Sequence, residues 1–181
     1  MKKVLALMLA LVFVLSLAAC GGGSTFTKDE VEKALQESES DLVLQKSSDS
    51  DKEYYYEKNN GVIEADFLVK TKDGEKVESI EITNKDIDTK LLSSEDSIID
   101  ILSKLNESGK SSINDLKAAS CIIQVFDLAS LFDSSLGSKV EDIKPIVTDV
   151  FTKGSCRTGD WIIRSDINSN DKTVVITAKP S

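Results

Sequence analysis

The sequence contains no histidine, and this absence removes more chemistry than any other feature of the composition. A Ser-His-Asp triad, a Cys-His nucleophile and the usual zinc sites all need an imidazole. Aromatic residues make up 6% of the chain, with Trp161 the single tryptophan, so no aromatic cleft for a sugar is in view. Of nine glycines, three are consecutive at Gly21, Gly22 and Gly23. No GK[ST] ending follows them, so they are not a phosphate-binding loop. Basic residues are in short supply: 22 Lys and Arg stand against 31 Asp and Glu, a formal net charge of −9. Binding a phosphate backbone requires clustered cations, so nucleic acid is excluded as a partner. No motif implies a cofactor.

What is present begins at the N-terminus. Lys2 and Lys3 precede an uncharged apolar run from Val4 to Leu15, and Ser16-Leu17-Ala18-Ala19 then brings in small residues. A basic head, an apolar middle and a small-residue end describe a secretory leader. The run stops short of the ~20 residues that span a bilayer.

Leu17-Ala18-Ala19-Cys20, with Gly21 following, resembles the lipobox of bacterial lipoproteins. The resemblance covers the leader alone. It implies that residues 1–19 are removed, that the Cys20 sulfur carries a diacylglyceryl group, and that fatty chains such as palmitate anchor the protein. The place implied is the outer, extracytoplasmic face of a bacterial cell membrane. Each buried CH₂ contributes about 0.8 kcal/mol, and two acyl chains hold stably where one does not. Residues 20–25 are then the lipidated cysteine and a Gly/Ser tether. Residues 21–25, fully extended, reach at most ~17 Å, so the domain stays near the membrane. Losing Lys2 and Lys3 leaves the mature chain more acidic still, and a chain of that charge gains nothing from an anionic surface.

A single α+β domain is expected over residues 26–181. Thr27 and Glu30 form a capping-box pattern, with Phe26 and Val31 at the hydrophobic-staple positions. Leu42 to Gln45 and the Tyr54-Tyr55-Tyr56 segment read as strands. After Asn60-Gly61, Ile63, Ala65, Phe67 and Val69 alternate with polar neighbours, and past Asp73-Gly74 the stretch Val77 to Thr83 returns. Helices follow from Ser93 or Ser94, from Ser112, and from Ser138, the last containing Pro145 and ending at Gly154. Trp161 to Arg164 and Thr173 to Ile176 flank an Asn- and Asp-rich turn. The expected architecture is an antiparallel sheet, a four-strand meander plus a C-terminal hairpin, packed against a helical layer. The segment from Ser112 to Phe132 is apolar round most of its circumference and should be the central buried helix. Lys117, Ser120, Gln124 and Asp127 fall on one stripe, expected to be its only wet line. Charges on that stripe argue against a membrane span.

With Cys20 assigned to lipid, Cys121 and Cys156 remain. An exported domain with two cysteines suggests a disulfide, which would restrict the unfolded chain by roughly 3.5–4 kcal/mol. Two reduced, buried thiols are the alternative. Tyr54, Tyr55 and Tyr56 are the candidate recognition surface, because tyrosine is favoured in interfaces. Alternatively Tyr54 and Tyr56 pack in the core and Tyr55 lies between Glu53 and Glu57 on the wet face. Asp49, Asp51 and Glu53 imitate the start of a calcium loop without its glycine or distal glutamate, and Asp166, Asn168, Asn170 and Asp171 read as a turn. No metal site is expected. The functional expectation is a membrane-anchored binding or accessory lipoprotein with a protein or cell-envelope partner, which a wall- or stress-sensing module would also fit. The alternative is a small hydrolase using carboxylates only, acting on cell-wall or glycan substrates, since two carboxylates suffice for that chemistry.

Overall fold

The computed structural model describes residues 26–38, 42–47, 52–105, 111–133, 135–136 and 140–181. In chain order the elements are α1 (Lys28–Ser38), β1 (Val43–Ser47), β2 (Glu53–Asn59), β3 (Glu64–Thr71) and β4 (Val77–Asn84). A 3₁₀ turn (Thr89–Leu92) leads to α2 (Glu95–Leu105), α3 (Ile113–Phe132) and α4 (Val140–Lys153). β5 (Ser155–Thr158), β6 (Trp161–Asn168) and β7 (Thr173–Pro180) complete the chain. The fold is α+β: one seven-stranded sheet in the order β1-β2-β3-β4-β7-β6-β5, with every neighbouring pair antiparallel.

The period-2 pattern explains which face is dry. Tyr56 stands opposite Phe67, Phe67 opposite Ile82, and Ile82 opposite Ile176. All four are buried, so one row of large side chains crosses four strands on a single face. The helices cover that face. α3 lies lengthwise, and its end meets the sheet in an aromatic cluster: Phe132 stacks on Trp161 at 4.2 Å, and Phe26 tilts against both rings at 5.5 and 5.9 Å. α4 packs on β6, where the Ser165 hydroxyl donates to the Val150 carbonyl at 2.6 Å.

Caps fall where the sequence signals them. Thr27 and Glu30 exchange side-chain and backbone hydrogen bonds ahead of α1, Ser94 accepts from the Ser97 amide ahead of α2, and Ser112 with Asp115 forms a capping box for α3. Each satisfies amide groups that an unfinished first turn leaves open. Gly154, at φ +82°, takes the left-handed conformation that ends α4.

Three expectations need correcting, and two fall outside the described residues. The C-terminal hairpin is a three-stranded unit, because β5 pairs with β6 from Ser155↔Arg164 to Thr158↔Trp161. The polar stripe on α3 is not a wet line. Ser120 and Gln124 are buried, and the exposed positions of that helix include Ile113 at 61% and Leu116 at 39%. The bridge between Cys121 and Cys156 is not formed; both are free thiols. Cys121 lies inside α3 with its thiol donating to the Lys117 carbonyl at 3.7 Å, whereas Cys156 sits on the edge strand β5 and donates to the Arg157 carbonyl at 3.5 Å. Each thiol is engaged with its own backbone rather than with the other. The imitation calcium loop at Asp49 and Asp51, and the expected helix start at Ser138, lie outside the described residues.

Candidate functional site

Among the described residues, no helix covers the sheet's second face. Side chains there come from the alternate strand positions: Glu53, Tyr55 and Glu57 on β2, Asp66, Leu68 and Lys70 on β3, Glu81 and Thr83 on β4. The register sets them in cross-strand rows: Tyr55↔Leu68↔Glu81 and Glu57↔Asp66↔Thr83. Gln45, Tyr55, Glu57, Leu68, Glu81 and Thr83 rim a shallow, open depression of about 330 Å³.

The tyrosine run is divided by the pleat. Tyr56 is buried in the core, and burial first, then the charge of Glu32, pushes its phenol pKa up. Tyr54, half-buried on the same side, lies under the Lys28 ammonium at 4.7 Å and donates to the Gly74 carbonyl at 3.4 Å. Tyr55 alone reaches the open face, where it is 37% exposed. Its hydroxyl donates to Glu53 at 2.9 Å, and Lys70 pairs with the same carboxylate at 3.2 Å. The bond from Tyr55, then Lys70, holds Glu53 below the usual carboxylate range, and the same bond raises Tyr55. The ring is thus oriented by its neighbours and its face is left available.

Sequence reasoning missed a polar seam on the dry side. Asn84 of β4 is completely buried, and its amide donates to Gln124 of α3 at 2.7 Å while Gln124 returns a bond at 3.1 Å. Gln124 also donates to Ser120 at 3.4 Å. Lys58 is buried beside them, its pKa lowered by desolvation against the opposing pull of Asp127. At the end of the seam Lys117 binds both the carboxylate and the carbonyl of Asp86. The stripe of polar residues on α3 was the available signal; its direction was not.

Glu53, Asp73, Asp86 and Asp115 are each held below their ordinary range. A general acid needs the reverse. Burial pushes the Cys121 thiol up to about 12 and raises that of Cys156, opposite to an activated nucleophile. Among the described residues, no group of three or more His, Cys, Asp or Glu side chains could hold a metal ion. Asp166 stays on β6, while the Asn168 side-chain oxygen accepts from the amides of Asn170 and Asp171 and closes the turn. Among the same residues no helix is long and apolar enough to cross a membrane.

Comparison with protein families, with curated proteins and with solved structures finds no match to this chain.

Proposed function

We propose that the protein is a lipid-anchored, extracytoplasmic binding or accessory module of a bacterial cell membrane, held by a diacylglyceryl group on Cys20. The observation that carries this reading is Leu17-Ala18-Ala19-Cys20 behind a short charged-then-apolar leader. The described fold agrees with a body starting just beyond such an anchor: Phe26 is already seated against Phe132 and Trp161. A protein or cell-envelope partner would meet the open face of the sheet, with Tyr55 as its aromatic contact. Tyrosine suits that role, presenting a large rigid ring with a polar tip at low entropic cost. The displaced carboxylates do not favour a hydrolase.

The deciding experiment is intact-mass analysis and membrane fractionation of the natively expressed protein beside a Cys20→Ala variant. Wild type should sediment with membranes and carry a diacylglyceryl mass on a chain beginning at Cys20. The variant should retain its leader and lack acyl mass. A mature wild-type chain with a free Cys20 thiol would overturn the reading.

A further inference from the structure

The two ends of the sheet differ, and the position of Phe26 tells them apart. The Phe26 carbonyl accepts from the Val77 amide at 2.8 Å, Thr27 bridges to Lys76, and the Lys28 amide donates to Glu75 at 2.7 Å. The chain therefore enters the body at the β3–β4 turn. The β5–β6 turn and the C-terminus lie at this same end, since Trp161 stands opposite Pro180 and the Ser181 amide donates to the Asp160 carbonyl at 2.8 Å.

The opposite end is built from the residues after β4, the β6–β7 turn and the start of α3. The Ile87 amide donates to the Lys172 carbonyl at 2.8 Å, Thr89 and Ser169 hydroxyls lie 3.0 Å apart, and Lys117 holds Asp86. β4 has eight residues, a strand of ~27 Å. α3 has twenty, a rod of ~30 Å. Both run from one end to the other.

We propose that the end formed by the β3–β4 turn, the β5–β6 turn and the C-terminus faces the lipid headgroups, with the strands standing away from the bilayer. This rests on acylation of Cys20. Residues 21–25 reach at most ~17 Å, less than the length of α3, so an inverted body cannot bring its far end to the membrane. Lying on a flank is opposed by charge. The open face presents Glu57, Glu81 and Asp166 as well as the ion-paired Glu53 and Asp66, and α2 presents Glu95, Asp96 and Asp100 against Lys104. Anionic headgroups repel such surfaces and attract nearby cations. The entry end carries exposed Lys72, Lys76, Arg157 and Lys179. Its Asp73 carboxylate is occupied by the Glu75 and Lys76 amides at 3.2 and 2.8 Å, and Asp29, Glu30, Glu75, Asp133 and Asp160 are further acidic groups there. Exposed cations are therefore available at the anchoring end to meet anionic headgroups.

The test uses acylated mature protein purified from membranes and placed in vesicles of phosphatidylethanolamine and phosphatidylglycerol. In a Cys156→Ser background, Lys76→Cys and Asn170→Cys each receive a fluorescent donor, and headgroup-labelled lipid serves as acceptor. Energy transfer should place position 170 about 20–30 Å further from the bilayer surface than position 76. Equal or reversed distances, on protein whose Cys20 bears the diacylglyceryl mass, would overturn the orientation and leave the anchor standing. Absence of that mass would overturn both.

Discussion

Asn84 and Gln124 exchange hydrogen bonds of 2.7 and 3.1 Å across the boundary between the sheet and its central helix, with both residues buried. A buried amide left without a partner costs about 1–3 kcal/mol, whereas replacing both partners by apolar groups can be nearly neutral. Gln124→Ala should therefore destabilise the domain by about 2–4 kcal/mol, combining a lost bond pair with a cavity. The double variant Asn84→Val, Gln124→Leu should cost less than the sum of its single changes. Urea unfolding of wild type, Gln124→Ala, the two single changes and the double variant checks both statements; additive costs would mean that the pair is not coupled.

Gly159 and Gly154 both have positive φ, at +56° and +82°, but only one is crowded. A Cβ on Gly159 would meet the Phe132 carbonyl oxygen at 2.5 Å, while one on Gly154 would meet nothing within 4 Å. Gly154→Ala should cost the left-handed penalty alone, about 1–2 kcal/mol. Gly159→Ala adds a backbone clash that must push the β5–β6 turn off the end of α3, and should cost more. The order of the two melting temperatures decides it.

The two thiols should differ in reactivity. Cys121 is fully buried and its pKa is pushed up to about 12, while Cys156 is half-buried on an edge strand. A thiol reagent should modify Cys156 in the folded protein and reach Cys121 only after denaturation, because the thiolate is the reacting species. Equal labelling of both in the folded state, or a native mass showing a bridge, would contradict the structure.

Acid should weaken the fold in a definite direction. Ser112 hydrogen bonds, with the Lys104 charge adding to them, hold Asp115 below its usual value, and the Lys117 bond does the same for Asp86. A carboxylate depressed in the folded state contributes stability above its unfolded value, about 3.9 for aspartate. That contribution is lost as pH falls through the folded value. Stability should therefore decline below about pH 4. Asp115→Asn should lower stability at neutral pH and flatten the decline. A variant with the same acid slope as wild type would remove Asp115 from the explanation.

The meander was legible because its information is local. Ala65, Phe67 and Val69 alternate with polar neighbours, and Asn60-Gly61 and Asp73-Gly74 mark reversals; the corresponding strands are β3 with its partners β2 and β4. Pleat geometry also separates Tyr55 from Tyr54 and Tyr56, as an alternating strand must. β5 was illegible for the opposite reason. Ser155-Cys156-Arg157-Thr158 has no apolar alternation, and it becomes a strand through pairing with β6. The polar stripe on α3 was visible as a spacing, but Asn84, forty positions away along the chain, turns it inward.

Short-range physics in the chain is enough for the capped helix starts, the turns and the alternation of each long strand, because every one depends on residues a few positions apart. Strand order, the inward course of Ser120 and Gln124, the separation of the two thiols and the end at which Phe26 docks depend on contacts between distant segments. Those contacts form only when the core closes, since their energy comes from burial and from hydrogen bonds whose partners no local window contains.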